Sequence, residues 1–338
     1  MKFTLAQWKY ASILTIVFVL GYVTHILIAT ISPTPTSAAV QVEPSLRESG
    51  KYALTSPLLL CATYESTDTG QTKSLQSEVQ SLIDSEIRSG RATDVSVYLR
   101  GFKGKWVGVN ENQQYVPASL LKVPLMIVYF KQAEDDPAIL DKILTYDGSY
   151  DDNQAQEFRS LSDIKPGKYK AIDLIKSMIV NSDNNATRLL NANISKSALA
   201  SVYTDLGLTL PDTKGTDVAV ISAKQYSYFF RILYNSTYLS PEYSEKALEF
   251  LAGPDFPQGL RSTVPVGVKV AEKFGERSVF TPSGDIIERN LHDCGIIYAP
   301  TGPYMLCVMT KGKSFQDLAT VIQDIGEFVY SKSTEVSR

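Results

Sequence analysis

The stretch "VPASLLKVPLMIVYF", Val116 to Phe130, is apolar almost throughout and carries one lysine, Lys122, three residues after Ser119. A lysine buried in such a run must lose its charge or find a partner, and both are costly. If a helix opens near Ser119, residues three apart lie one above the other on one face, so the amine reaches the hydroxyl. Pro124 fits near the start of that helix, where a missing N–H costs least. A helix N-terminus offers free N–H groups to developing negative charge. A desolvated lysine can serve as base to a serine nucleophile there. The competing reading is a lysine that snorkels from the edge of the core. Ser-x-x-Lys alone recurs by chance and decides nothing.

The whole chain has 338 residues, 44% hydrophobic and 20% charged, with a net charge of −3. That suits one large domain or two modest ones with an extra segment at an end, and gives no sign of nucleic-acid binding. The histidines are His25 and His292 alone. A Ser-His-Asp or Cys-His site would have to use one of them, and a histidine zinc site is not expected. The cysteines Cys61, Cys294 and Cys307 show no clustered spacing, so neither a metal nor another cofactor is expected. Cys294 and Cys307 fall in consecutive strand-like segments. A disulfide and two unpaired core thiols are both open.

Ala11 to Ile31, "ASILTIVFVLGYVTHILIATI", carries no formal charge apart from a possible proton on His25. It is long enough to span a bilayer and longer than the core of a usual cleaved signal, about 7–15 residues. Small residues follow in "TSAAV", which leaves cleavage and secretion as the alternative. Lys2 and Lys9 precede the span and no Lys or Arg follows until Arg47. The positive-inside rule places residues 1–10 in the cytoplasm and the bulk outside the cytoplasmic membrane. Residues 32–73, which open on the Pro/Ser/Thr-rich "SPTPTSAAVQVEPS", read as an extracytoplasmic linker.

From Ser74 the pattern becomes regular. "SLQSEVQSLIDSEIRSG" has apolar residues at helical spacing and a glycine stop. "DVSVYLRGFKGKWVGVN" alternates about a glycine turn as a β-hairpin. A long buried helix follows Ser119. Tyr169 to Leu251 is mostly helical, including "AIDLIKSMIV", "NNATRLLNANI", "SAKQYSYFFRILYNS" and "PEYSEKALEFLAG". Strands return in "GVKVAEKFGE" and in a hairpin turning at Pro300 to Pro303, and "SFQDLATVIQDIGEFVYSK" closes as an amphipathic helix. The order predicts an α+β fold over residues 74–332, an antiparallel sheet flanked by N- and C-terminal helices with an inserted all-helical lobe.

Two more short motifs stand at element ends. Ser182-Asp183-Asn184 sits between two helices, where Ser, Asp and Asn serve as helix caps. Lys273-Phe274-Gly275 lies in a strand. There Lys273 could guard an edge, and a glycine often marks close approach of a ligand.

Together the three motifs resemble the serine penicillin-recognising superfamily, the penicillin-binding proteins and class A β-lactamases. That family carries Ser-x-x-Lys, Ser-Asp-Asn and Lys-Thr-Gly in this order. Here the gaps are 63 residues, Ser119 to Ser182, and 91 residues, Ser182 to Lys273. The resemblance implies that Ser119 attacks an amide carbonyl to form an acyl-enzyme. Lys122, with Ser182, moves the proton, and Lys273 supplies a positive charge. Asn184, Phe274, Gly275 and Arg277 bind substrate, and the backbone N–H groups of Ser119 and Glu276 form the oxyanion hole. The implied partner is a β-lactam or a peptidoglycan stem peptide, met by a monomer.

The chain departs from the family pattern twice. No Glu-x-x-Leu-Asn string lies between Ser182 and Lys273, so the glutamate that activates the deacylating water is missing. Asp212 and Asp217 are possible substitutes, though each also reads as a turn residue. Phe274 stands where the family has a hydroxyl residue, and Arg277 is the candidate for that carboxylate contact. A non-catalytic envelope-binding relative is the reading of another class. Against it, the serine and lysine positions of all three motifs are intact. The sequons at Asn185, Asn193 and Asn235 matter only in a eukaryotic secretory pathway. His292 reads as structural.

Overall fold

The computed structural model describes residues 50–58, 72–158, 162–207, 219–253 and 256–337. The span at 11–31 and the cysteine Cys61 lie outside them. Among the described residues, no helix is long and apolar enough to cross a membrane.

A five-stranded antiparallel sheet runs in the order β2-β1-β9-β8-β7. Its strands are β1 (Asp94–Gly101), β2 (Trp106–Val109), β7 (Val270–Phe280), β8 (Ile286–Ala299) and β9 (Gly302–Gly312). Side chains alternate between its two faces. On β9, Tyr304, Leu306 and Val308 point to one core. There they meet helices α1 (Lys73–Arg88) and α8 (Phe315–Ser331) through Leu75, Val79, Leu318 and Ile322. Met305, Cys307 and Met309 point to the other core, beneath the helical lobe. Two-residue strands β3 (Gln114–Tyr115) and β6 (Ile221–Ser222) pair, as do β4 (Ile143–Tyr146) and β5 (Gly167–Lys170). Neither short pair is legible in the sequence pattern.

The lobe holds α2 (Lys122–Asp135), α3 (Ala171–Val180), α4 (Asn184–Asn193), α5 (Lys196–Asp205), α6 (Ala223–Asn235) and α7 (Pro241–Leu251). Helix α2 is buried nearly all round, as its unbroken apolar run requires. Ser119 is not on this helix. It occupies a 3-10 turn, Ala118–Leu121, just before it.

Residues 52–58, within the stretch expected as a linker, pack against the lobe. Glu245 of α7 accepts from the backbone N–H groups of Ala53, Leu54 and Thr55. Leu54 is buried in the lobe core, and Ser56 N–H bonds Tyr234 O at 2.8 Å. Residues 52–58 are therefore part of the folded body.

Cys294 and Cys307 stand directly opposite on β8 and β9 and form a disulfide. Of the two readings left open by the sequence, the bridge is the one observed. Under denaturing, non-reducing conditions only Cys61 should take up an alkylating reagent. Labelling of all three cysteines would refute the bridge.

Candidate active site

The turn bearing Ser119 is held from three sides. His292 is fully buried on β8, and its Nε2 lies 3.0 Å from Val116 O while its Nδ1 accepts from Thr310 N. These contacts make Nε2 the protonated nitrogen. Burial pushes the His292 pKa down to about 4, so the ring stays neutral and structural, as the sequence reading expects. Tyr226, on α6, donates its hydroxyl to Leu120 O at 3.0 Å. Strand β7 closes the third side. A Cβ on Gly275 would come within 2.7 Å of Pro117 O and 3.1 Å of the Leu120 nitrogen. The glycine thus admits the turn that carries Ser119, where the sequence reading placed a ligand. Ala118 adopts φ 50° just before Ser119, a left-handed conformation that alanine holds only when its surroundings impose it.

Lys122 starts α2 and is 2% exposed. Its Nζ lies 2.5 Å from Ser182 O, 3.1 Å from Ser182 Oγ and 2.6 Å from Asn184 Oδ1. Burial, and then the nearby charge of Lys273, hold its pKa well below the ordinary lysine value, against the pull of Asp183, Glu276 and Asp163. Lys273 also reaches Ser182 Oγ, at 3.0 Å, and donates to Phe274 O at 2.9 Å. Burial lowers it to about 7, opposed by Asp293, Glu272 and Glu276. One hydroxyl therefore contacts two buried amines. A hydroxyl accepts from an ammonium and donates to a neutral amine, so Ser182 can pass a proton between the two lysines.

Asp183 explains why Ser182 and Asn184 stay in place. It caps α4 by accepting from Ala186 N at 3.0 Å. It also accepts from Asn153 Nδ2, Ile164 N and Ser177 Oγ. Ser182 itself takes φ 53°, which turns its hydroxyl and carbonyl toward Lys122.

The remaining expected residues are spread differently. Phe274 does not open onto the Ser119 cleft. It is buried in the core between the sheet and its terminal helices, stacked on Phe256 with centroids 4.1 Å apart and edge-on to Phe158. Its ring also lies 4.1 Å from the Lys273 ammonium. Arg277 is exposed, two positions beyond Gly275 on the alternating pattern of β7. Glu276 lends its carboxylate to the backbone N–H groups of Glu157 and Phe158, and burial raises its pKa. Asp212 and Asp217 lie outside the described residues.

One segment that contacts these residues escaped the sequence reading. Residues 151–158 run from the Ser182–Asn185 turn to the edge strand β7. Asn153 Oδ1 accepts from Asn184 N, and Gln156 Nε2 donates to Ser182 O at 2.8 Å. Glu276 and the Phe158 ring secure the far end. The Asx-type hydrogen bond from Asn153 N to Asp151 Oδ1 was its only local signal, and such turns are common.

Ser119, Lys122 and Asn184 open together onto a cleft of about 620 Å³ walled by α2, α4 and α5. A serine, a lysine of depressed pKa and a relaying hydroxyl suit nucleophilic attack on a carbonyl carbon.

A family model described as the β-lactamase enzyme family matches residues 74–332, the span expected from the motifs. Among solved structures, a single-residue mutant of PBP-A in an acyl-enzyme complex with penicillin G aligns at 22% identity, covering 79% of this chain and 98% of that one, with a TM-score of 0.63. A class A β-lactamase representative from Bacteroides cellulosilyticus aligns at 20% identity over 77% of this chain and 98% of its own, TM-score 0.64. A class A β-lactamase from Mycobacterium abscessus aligns at 18% identity over 76% and 98%, TM-score 0.60. These likenesses are likenesses of fold. A comparison with curated proteins gives no match.

Proposed function

Since the chain belongs to the β-lactamase enzyme family of serine hydrolases, we propose that Ser119 is its nucleophile and is acylated by β-lactams. The observation that carries this is the hydrogen-bonded row Lys122–Ser182–Lys273, whose first member lines one cleft with Ser119. Lys122, as the neutral amine, takes the Ser119 proton. Ser182 passes it to the leaving nitrogen. Lys273 holds positive charge toward the substrate, Asn184 orients it, and the N–H groups of Ser119 and Glu276 receive the oxyanion. Arg277 is the candidate anchor for a substrate carboxylate.

Deacylation is proposed to be slow, because the sequence lacks Glu-x-x-Leu-Asn between Ser182 and Lys273. The same lack favours a second reading, a peptidase or transpeptidase acting on the D-Ala-D-Ala end of peptidoglycan. Residues 11–31 are proposed as a single-pass anchor holding the hydrolase outside the cytoplasmic membrane.

Intact mass followed over time after adding a penicillin tests the slow-deacylation reading. A persistent adduct supports it. Steady drug hydrolysis with only a transient adduct would replace it with an efficient β-lactamase.

The pH profile follows from the two lysines. Lys122 must lose its proton to act, and Lys273 must keep its own. The acylation rate should rise with pH as Lys122 deprotonates and fall above about 7 as Lys273 discharges. Stopped-flow acylation rates check this. Lys273→Arg, permanently charged, should lose the alkaline limb. An unchanged limb would assign it to another group.

A further inference from the structure

Lys122 Nζ faces three oxygens, Ser182 O at 2.5 Å, Asn184 Oδ1 at 2.6 Å and Ser182 Oγ at 3.1 Å. Three acceptors suit an ammonium, which has three N–H groups to give. A base needs the other state, a neutral amine with a free lone pair. Carbonyl and carboxamide oxygens this close favour the charged form. The carboxylates Asp183, Glu276 and Asp163 favour it too, while burial and the charge of Lys273 oppose it.

Ser182 O, the nearest of the three oxygens, has a second donor. Gln156 Nε2 gives it a hydrogen bond at 2.8 Å. A carbonyl oxygen has two lone pairs, and these two donors occupy both. The second donor draws charge from the oxygen and brings its own positive hydrogen toward the lysine. Both effects work against the ammonium. The amide cannot be turned the other way, since its oxygen would then face Ser182 O. Gln156 Oε1 is buried without a hydrogen-bond partner, a costly state that an apolar side chain would not incur. Packing alone therefore does not call for glutamine here.

The segment that carries Gln156 is fixed at both ends. On one side Asn153 Oδ1 accepts from Asn184 N at 2.6 Å, and Asp152 N donates to Asn185 Oδ1 at 2.7 Å. On the other, Glu276 accepts from the N–H groups of Glu157 and Phe158, and the Phe158 ring packs edge-on to Phe256, Phe274 and Phe315. Phe274, the departure from the family's hydroxyl residue, thus helps to hold Gln156 in place.

We propose that Gln156 is a positioning residue for the general base, and that its hydrogen bond to Ser182 O keeps Lys122 in the neutral state that takes the Ser119 proton. This role rests on Lys122 being the base and Ser119 the nucleophile. Gln156 does not line the cleft and acts through Ser182.

The test follows acylation of Ser119 by a penicillin across pH, by stopped flow, for the parent, Gln156→Met and Gln156→Glu, with a urea midpoint for each. Without the donor, Ser182 O holds the ammonium more strongly, so Lys122 loses its proton only at higher pH. The midpoint of the acid limb should rise by about one pH unit in Gln156→Met. Acylation should then be about tenfold slower at pH values below both midpoints. Gln156→Glu, which adds negative charge beside the same oxygen, should move the limb at least as far. The alkaline limb should stay at about 7, because Lys273 binds Ser182 Oγ and Phe274 O. A uniform loss of rate with the acid limb in place would make Gln156 a structural residue and overturn this role alone. An acid limb moved to lower pH would overturn it as well. No acylation of Ser119 in the parent would overturn the nucleophile together with it. If Gln156→Met does not fold, the isosteric Gln156→Glu gives the same reading.

Discussion

Lys122→Met should lower the rate of Ser119 acylation by about 10²- to 10⁴-fold while leaving the protein as stable as before, or more so. The two halves of this expectation have separate causes. Lys122 is 2% exposed, and keeping an amine there costs desolvation that methionine does not incur. Ser182 O keeps a donor in Gln156 Nε2, so few polar atoms lose their partner. The chemistry has no such substitute, because Lys122 is the buried amine that lines the cleft with Ser119, whereas Lys196, which also lines it, is exposed. Acylation kinetics and a urea denaturation curve measured on the same sample separate the two. A variant that acylates as fast as the parent would remove Lys122 from the mechanism. A variant that loses both rate and fold would make it a structural lysine.

Asp183→Ala should cost about 3–5 kcal/mol of stability. The carboxylate accepts from Ala186 N, Ile164 N, Asn153 Nδ2 and Ser177 Oγ. Alanine would strand buried backbone N–H groups at the start of α4 and beside Ile164, and each stranded group costs roughly 1–3 kcal/mol. The Ser182–Asn184 turn would loosen with them, so acylation should fall as well. Asp183→Asn, which keeps an acceptor oxygen, should recover part of the loss. Denaturant midpoints at constant m-value measure it. A loss under about 1 kcal/mol would reduce Asp183 to an ordinary exposed-type cap.

The sequence reading and the structure agree where local chemistry and long-range packing point the same way. The alternation in β7 to β9 and the helical spacing in α1, α3, α4, α6, α7 and α8 fix the elements, and those elements bring Ser119, Lys122, Ser182 and Lys273 together. Asp183 as a helix cap was legible from residue type alone. What the sequence hid depends on neighbours distant in the chain. Gly275 is small because Pro117 and Leu120 press on it, and no local pattern reports that. Phe274 sits where the family has a hydroxyl residue, but its stacking partner Phe256 lies 18 positions earlier, outside any helix or strand. Helix α5 carries a weak apolar stripe, and its start signal, Ser195 accepting from Ala198 N, was the clue available. The 3-10 turn at Ser119 reflects the left-handed Ala118, a tertiary constraint that propensity cannot supply.

The measurement that tests the central claim most directly is peptide mapping of the protein after reaction with a labelled penicillin, beside Ser119→Ala treated the same way. The account predicts the label on the peptide containing Ser119, and none in the variant. Label on any other residue, or equal labelling of both proteins, would contradict it.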